Sequence, residues 1–281
     1  MMKIGASTIA AMYVGGAPVS AAYLGGVQVF GGASFDSDAL AYITAVETAD
    51  GEALEAGVKD AINDFVVGCK ADAIWDALKA SCILAGARTL NGCLVPLKGT
   101  APTNFNFVSA DYDRKTGLKG DGSTKYLNST RANNADPQNN NHNAIWMSDT
   151  GPDQVQALIA AGLSNDDGTN LISQGVSNQL FTRNRSSGGT SVSTPIASGF
   201  AGTSRSSAAS YEARNGGATN TVSVASSSAL ANNITIFTRL GSLSNYASAR
   251  LSFYSIGEAI DLAALDARVS ALMTALDGAI T

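Results

Sequence analysis

The 281-residue chain has a net charge of −5, and charged residues make up 15%, well below the usual quarter of a soluble domain. Hydrophobic residues make up 45%, which is enough for a real core and argues against disorder. The acidic balance argues against nucleic acid and anionic membrane as partners, since both attract a basic patch. No run approaches the roughly 18–20 apolar residues of a membrane span, so we expect no membrane insertion. No signal-peptide block stands out either.

Residues 3–30 contain an internal repeat with a period of ten. Each unit places an apolar residue before a glycine and ends on a β-branched residue, and the glycine pairs at 15–16 and 25–26 suit tight turns. We expect three short strands, whose exposed edges need a partner. An ordinary β-meander packed on its own domain is the alternative.

We therefore predict that residues 1–32 form a β attachment segment that docks on other proteins or on further copies of the chain. A homo-oligomer, most simply a trimer, is the expected assembly. The residues predicted to make the assembly contacts are Ile4, Ile9, Tyr13, Val14, Val19, Tyr23, Leu24 and Val29.

Residues 33–88 are predicted to be a helical linker region. Asp36 or Ser37 can cap a helix over 39–46, and apolar residues from 54 to 69 recur at helical spacing. A further short helix is expected to carry Ile74, Trp75 and Leu78, with Trp75 as a core anchor.

The three cysteines, Cys69, Cys82 and Cys93, give no even disulfide framework. Cys69 and Cys82 fall on predicted helical faces, where we expect small buried thiols. The chain therefore suits assembly in a reducing cytosol.

Residues 89–281 are predicted to form an antiparallel β-sandwich closed by a C-terminal helix, because short apolar runs alternate with Gly, Asn, Asp and Ser clusters. Arg131–Asn143 is predicted to be a long loop. The expected strands are 93–97, 117–119, 126–128, 144–147, 156–160, 171–173, 179–185, 221–224, 233–238 and 250–255. The closing helix, 261–277, carries one apolar stripe: Leu262, Leu265, Val269, Leu272, Met273 and Leu276.

The chemistry-bearing residues predict no enzyme. His142 is the single histidine and lies in the predicted Asn-rich loop, where we expect it to be solvated. No G-x-S-x-G elbow, C-x-x-C pair or phosphate-binding loop is present. Beyond residue 60 only Glu212 and Glu258 are glutamates, whereas glycoside hydrolysis needs two carboxylates across a cleft. We predict no catalytic residue, metal or cofactor.

Two acidic clusters keep calcium open as an alternative. Asn165–Gly168 and the pair Asp111 and Asp113 offer oxygen ligands, although Asp-Gly is also an ordinary turn signal. We expect each aromatic residue of the β region to pack in the core, with a sugar-stacking platform among them as the alternative. These residues are Tyr112, Tyr126, Trp146, Phe181, Phe200, Tyr211, Tyr246, Phe253 and Tyr254.

Several blocks resemble phage and prophage virion appendage proteins of the tail-fibre type. They are the repeat of residues 3–30, residues 95–99 and 101–107, residues 117–127, and the ending 253–258 followed by 261–269. The resemblance implies a concanavalin-like (laminin-G-type) jelly roll on a phage particle. It carries over no site residue.

These observations together predict a structural and adhesive virion component, such as a tail or tail-fibre protein, assembled in the host cytoplasm with other virion proteins. Polar loops at 131–143 and 186–193, the second flanked by Arg183 and Arg185, are the expected contacts to host surface glycans. A capsid-associated head fibre or decoration protein, inert loops, and a polysaccharide-degrading enzyme are the alternatives.

Overall fold

A computed structural model describes residues 35–162, 168–186, 198–240 and 245–281, together with the backbone of strand 190–195 and of short strands before residue 32. Within these residues no helix is long and apolar enough to cross a membrane.

The N-terminal repeat forms antiparallel hairpins, one for each period of ten. They pair β1 (Lys3–Ile4) with β2 (Ser7–Thr8), β3 (Tyr13–Val14) with β4 (Ala17–Pro18), and β5 (Ala21–Leu24) with β6 (Val27–Gly31). Val14 pairs with Ala17 and Leu24 with Val27, so each glycine pair joins two strands. Each period therefore holds two strands, not the single strand expected.

Two of the predicted assembly residues, Ile9 and Val19, lie outside the described residues. The other six lie in the hairpin strands: Ile4, Tyr13, Val14, Tyr23, Leu24 and Val29. Their role in assembly stays a prediction.

The long helices lie where the periodicity and the caps predict them. The helices are α1 (Ser37–Asp50), α2 (Ala56–Ala71), the single turn α3 (Leu90–Cys93) and α4 (Leu262–Ala279). The Asp36 carboxylate caps α1 by accepting from the Asp38 amide at 3.0 Å, and Asp261 caps α4 in the same way. The predicted apolar stripe of α4 is buried along its full length.

The remaining strands form two antiparallel sheets. The strands are β7 (Leu78–Ile83), β8 (Thr103–Phe105), β9 (Tyr112–Asp113), β10 (Gly117–Lys119), β11 (Tyr126–Ala132), β12 (Asn141–Asp149), β13 (Gln156–Ala161), β14 (Thr169–Gln174), β15 (Gln179–Ser186), β16 (Thr190–Pro195), β17 (Gly199–Arg205), β18 (Tyr211–Asn215), β19 (Ala218–Val222), β20 (Asn233–Ile236) and β21 (Arg250–Gly257). The eight-stranded sheet has the order β19-β18-β17-β12-β21-β10-β9, with β7 also paired to β21. The seven-stranded sheet has the order β16-β15-β14-β13-β20-β11-β8.

The two sheets pack face to face and confirm the predicted antiparallel β-sandwich. Interlayer hydrogen bonds accompany the apolar core: Asn184 donates to Thr203 Oγ1 at 3.2 Å, and the hydroxyls of Thr182 and Tyr211 lie 3.0 Å apart. Helix α4 packs on α2 and on β17, so the helices cover the outer face of the eight-stranded sheet. One hydrophobic core therefore joins the predicted linker region to the sandwich.

Three local predictions are wrong. Residues 74–78 form no helix beyond a 3-10 turn at Trp75–Ala77, and β7 follows it and pairs with β21. No strand forms over residues 93–97, because α3 ends at Cys93 and a turn follows it. Residues 131–143 are no long loop, because β11 runs to Ala132 and β12 begins at Asn141.

The buried thiols are confirmed. Cys69, Cys82 and Cys93 are all buried and unbridged, although Cys82 lies on β7 and not on a helix. Burial raises the pKa of Cys69 and of Cys82 to about 12, so both stay protonated and unreactive near neutral pH.

Candidate functional site

Alternation along β15 turns two side chains away from the sandwich interior. Leu180 and Thr182 are buried between the sheets, and Thr182 contacts the Tyr211 hydroxyl of the opposite sheet. Successive residues of a strand point to opposite faces. Phe181 and Arg183 therefore lie on the outer face of the seven-stranded sheet.

Small and apolar residues surround them on the same face. Ser173 pairs with Phe181 across the β14–β15 ladder, and Leu171 pairs with Arg183. Ala157, Ala160 and Leu171 form a second hydrophobic cluster, separate from the main core, against which Phe181 packs. The alanines are too short to fill the surface above β13, and a depression results.

This first depression, which we call the arginine depression, has a volume of about 390 Å³. Its rim carries the exposed side chains of Val155 and Val176, which are 52% and 66% exposed. Its lining combines one aromatic ring, two guanidinium groups, amides and a hydroxyl: Val155, Leu171, Ser173, Gln174, Gly175, Val176, Gln179, Phe181, Arg183, Arg239 and Asn245.

Backbone hydrogen bonds fix the turn that forms one wall of the arginine depression. The Gly175 amide donates to the Gln179 carbonyl at 2.8 Å and closes the β14–β15 turn. Ser177 has a left-handed φ of 61°, and its amide donates to the Asp153 carboxylate at 3.1 Å. The turn that presents Val176 is therefore tied down at both ends.

The opposite wall is the segment that follows β20. The Ala157 amide donates to the Asn245 carbonyl at 3.1 Å, and Arg239 Nε donates to the Gly162 carbonyl at 3.4 Å. Arg239 and Asn245 are thereby held against β13. The site is built by residues far apart in the sequence.

A second depression of about 190 Å³ lies on the same face, on the other side of β13. The ladders place Asn128 and Ala160 opposite Thr235, so β11, β20 and β13 share this surface. Its lining is rich in amides: Asn128, Ala160, Ala161, Gly162, Asn232, Asn233, Thr235 and Leu240. The outer face of the seven-stranded sheet thus offers two neighbouring polar recesses.

An aromatic patch stands at the β8 edge of this face. Phe105 lies directly opposite Tyr126, and their rings stack with centroids 4.3 Å apart and planes 4° apart. Tyr246 packs edge-on against Tyr126 at 6.2 Å. Phe105 is 36% exposed, so part of the patch faces solvent.

Basic side chains contribute to the lining of the arginine depression. Two guanidinium groups line it, and no carboxylate does so among the residues that the structure describes. The Arg183 guanidinium lies 5.8 Å from the centre of the Phe181 ring. The depression therefore joins an apolar ring face to positive charge.

The prediction that His142 is a solvated loop residue is wrong. Its side chain is fully buried on β12, with Nδ1 2.5 Å from the Glu258 carbonyl and Nε2 2.7 Å from Ser255 Oγ. Burial lowers the pKa of His142 to about 4. The imidazole is a neutral structural group that faces neither depression.

Arg185 does not flank a polar surface loop, as expected, but is buried. Its guanidinium donates to the carbonyls of Asn133, Asp136 and Pro137. Burial lowers its pKa to about 10. The connection between β11 and β12 buries Asn133 and Asp136 beside Arg185 and leaves Asn134 and Pro137 exposed, so its contact with glycans stays a prediction.

The second predicted glycan loop, residues 186–193, is partly a strand. Thr190 begins β16, which pairs with β15. Residues 187–189 lie outside the described residues.

The isolated glutamates lie away from the depressions. Glu258 pairs with Lys79 at 3.1 Å, and Glu212 lies exposed on β18. Neither lines either depression.

The acidic clusters considered as calcium sites either make other contacts or lie outside the described residues. Asp111 pairs with Lys125 at 2.5 Å, and Asp113 accepts from the amides of residues 115 and 116 in a turn. Asn165, Asp166 and Asp167 are outside the described residues. Among those described, no group of three or more His, Cys, Asp or Glu residues could hold a metal ion.

No protein-family model matches the chain, and no curated protein does so. Among solved structures, the binding domain of botulinum neurotoxin serotype D is 10% identical, with a TM-score of 0.46 over 70% of this chain and 51% of that one. A Trypanosoma rangeli sialidase mutant displaying trans-sialidase activity is 11% identical, with a TM-score of 0.43 over 76% and 39%.

Domain 4 of AbnA, a GH43 extracellular arabinanase from Geobacillus stearothermophilus, in complex with arabinotriose, is also 11% identical, with a TM-score of 0.39 over 61% and 82%. The chain spans about half the length of the toxin domains that it matches. Because all these TM-scores lie below 0.5, function has to be argued from the chain's own residues.

Proposed function

We propose that this chain is a non-enzymatic, glycan-binding virion protein of a phage, a tail or tail-fibre component whose seven-stranded sheet contacts host surface saccharides. The observation that carries the binding role is the lining of the arginine depression. An aromatic ring, amides, a hydroxyl and guanidinium groups converge there on a rigid, outward-facing sheet.

Sugars present two surfaces to a protein, and this lining is suited to both. Their C–H faces pack on aromatic rings and small apolar side chains, which Phe181 and the exposed Val155 and Val176 provide. Their hydroxyls donate and accept hydrogen bonds, for which the exposed Gln179 and the half-buried Asn245 supply both kinds of group. The volume of about 390 Å³ lies in the range of ligand sites.

An adhesive role suits the open form of the face. The two depressions and the aromatic patch share one surface, so an extended saccharide can contact the sheet at several places. Shallow sites of this kind bind weakly one at a time. A homo-oligomer, which we expect to be a trimer held by the N-terminal hairpins, multiplies the contacts.

The virion part of the proposal rests on the resemblance of residues 3–30, 117–127 and 253–269 to phage appendage proteins. The hairpins of the repeat then act as the mount on other virion proteins, and the sandwich as the part that meets the host.

Substitution of Phe181 by Ala tests the binding role. The full-length chain, immobilised for avidity, is presented with bacterial lipopolysaccharide, capsular polysaccharide and wall polysaccharide. We expect wild type to bind at least one of them, and Phe181→Ala to bind it about tenfold more weakly, a loss of about 1.4 kcal/mol.

Val67→Ala is the matched control, because Val67 is an exposed apolar residue on α2, on the opposite side of the sandwich. It is expected to bind like wild type. Failure of wild type to bind any of the three polymers, or full affinity in Phe181→Ala, would contradict the proposal. Release of reducing sugar ends during incubation would show instead that the chain is an enzyme.

A further inference from the structure

We infer that the second depression, the recess of about 190 Å³ between β11, β20 and β13, binds the acetamido group of N-acetylated amino sugars. We call this recess the amide depression. The inference rests on the proposed glycan-binding function and names the class of sugar that this recess takes. The features that carry it are the apolar floor of the recess, the side-chain amides around that floor and the absence of charge from its described lining.

Strand alternation brings polar side chains of β20 to the outer face of the sheet. Ile234 is buried in the core between the sheets, so its neighbours Asn233 and Thr235 point outward. Asn128 and Ala160 lie directly opposite Thr235 on the two neighbouring strands. These four side chains therefore share one face, and the amide depression lies among them.

The floor of the amide depression is largely apolar. Ala160 is 1% exposed and Thr235 is 2% exposed. The Thr235 hydroxyl donates to the Thr238 carbonyl at 2.8 Å, so its hydrogen is already used within the chain. Ala160 presents only a methyl group, and Leu240 adds an apolar side chain to the lining. The floor therefore suits a small apolar group, because a polar group buried without a hydrogen bond is costly.

Side-chain amides stand around this floor. Asn128 Oδ1 accepts from the Thr130 amide at 2.9 Å, which orients the side chain and leaves its two N–H donors for a ligand. Asn232 is half-buried and Asn233 is exposed, and neither side chain is hydrogen-bonded within the described part of the chain. Each of these amides carries an acceptor oxygen and two N–H donors. The recess thus surrounds an apolar floor with both kinds of hydrogen-bonding group.

An acetamido group matches this arrangement, because it consists of one N–H donor, one carbonyl acceptor and one terminal methyl. The methyl can pack on Ala160 while the carbonyl accepts from Asn128 and the N–H donates to Asn233. A hydroxyl in the same place has no methyl to fill the floor. No charged side chain lines the recess among the residues that the structure describes, so we expect binding to be insensitive to salt.

The test compares sugars that differ only in the substituent at carbon 2. The methyl glycosides of N-acetylglucosamine, N-acetylgalactosamine and N-acetylmannosamine are each compared with that of the parent hexose by saturation-transfer NMR titration of the full-length chain. We expect at least one acetamido sugar to bind tenfold or more tightly than its parent, at low and high salt alike. Its acetyl methyl protons should receive the strongest saturation.

Two variants address the walls and the floor separately. Asn233→Ala removes an exposed amide and should weaken binding of the acetamido sugar about fivefold. Ala160→Val fills the floor and should abolish the preference over the parent hexose. If Ala160→Val does not fold, as judged by circular dichroism, Asn233→Ala is read alone. Asn220→Ala is the matched control, because Asn220 is an exposed asparagine on β19 of the other sheet, and it should bind like wild type.

The outcomes separate this inference from the proposed function. If the acetamido sugars bind no more tightly than their parent hexoses, while polysaccharide binding still depends on Phe181, the inference is overturned and the proposed function stands. A preference that survives unchanged in Asn233→Ala and Ala160→Val overturns it as well, because the acetamido group is then bound elsewhere on the chain. Binding of none of the monosaccharides and none of the polysaccharides overturns both.

Discussion

Buried polar side chains hold the connection after β11 against β14 and β15 at one end of the sandwich. Asn170 donates to the Asn133 side chain at 2.7 Å and accepts from the Arg185 amide at 3.0 Å. The Asn133 amide group in turn donates to the Gly168 carbonyl at 2.8 Å. Buried polar groups are costly unless they are hydrogen-bonded, so this network specifies one packing of residues 133–141 against β14 and β15.

His142 belongs to the same end and makes stability depend on pH. The Glu258 carbonyl can only accept, so Nδ1 carries the proton, and Nε2 accepts from the Ser255 hydroxyl. Burial lowers the pKa from 6.5 to about 4, so stability is full above pH 6.5 and falls as the pH drops from there toward 4. The total loss corresponds to about 3 kcal/mol.

Urea unfolding of wild type and His142→Gln at pH 7.5 and pH 4.5 measures this contribution. Glutamine keeps a donor and an acceptor but does not titrate. We expect wild type to lose about 2–3 kcal/mol more than the variant between the two pH values. Parallel losses in both proteins would show that His142 is not buried in its neutral form.

At the scale of elements, helices with a regular apolar periodicity could be predicted from the sequence. Strands that are short or built mainly of small residues could not. The runs in α2 and α4 were found because their apolar residues recur at helical spacing. Strand β7 was missed because its short apolar run directly follows a helical pattern, and pairing with β21 decides its state. Strand β17 lacks an apolar run in the sequence, because the residues between Phe200 and Arg205 are Ala, Gly, Thr and Ser. Packing of α4 on this strand requires a small residue at Gly202, because a Cβ there would lie 3.0 Å from the Leu262 side chain of α4.

The stripe of α4 is predicted to be essential for stability. Leu265 is fully buried against the sandwich, and Leu265→Asp places a charge without a partner there. We expect a cost of about 3–5 kcal/mol and a clear fall in melting temperature. Ala267→Asp adds the same charge on the exposed side of the same helix and is expected to change stability by less than about 1 kcal/mol. An unchanged melting temperature for Leu265→Asp would mean that the stripe is not buried.

At the scale of the whole molecule, the helices and the candidate site lie on opposite outer faces of the sandwich. Helices α2 and α4 cover the eight-stranded sheet, and the depressions lie on the seven-stranded sheet. The sequence offers Phe181 only as one of nine aromatic residues and Arg183 only as a neighbour of a polar loop, and the recess also needs Val155, Arg239 and Asn245. Sequence spacing does not reveal such a meeting, because the sheet order decides it.

The N-terminal repeat is expected to matter for assembly and not for the fold of the sandwich. Each described hairpin is paired within its own period of ten, and the hydrophobic core of the sandwich begins at Ala39. Deletion of residues 1–32 should therefore leave the melting temperature within a few degrees of wild type. Particles made with the truncated protein should lack it, as measured by immunoblotting of purified phage, because short hairpins expose edges that need partners.

Deletion of residues 1–12 alone is the graded control, since it removes one hairpin and leaves two. Normal incorporation of the chain that lacks residues 1–32 would exclude the repeat as the mount.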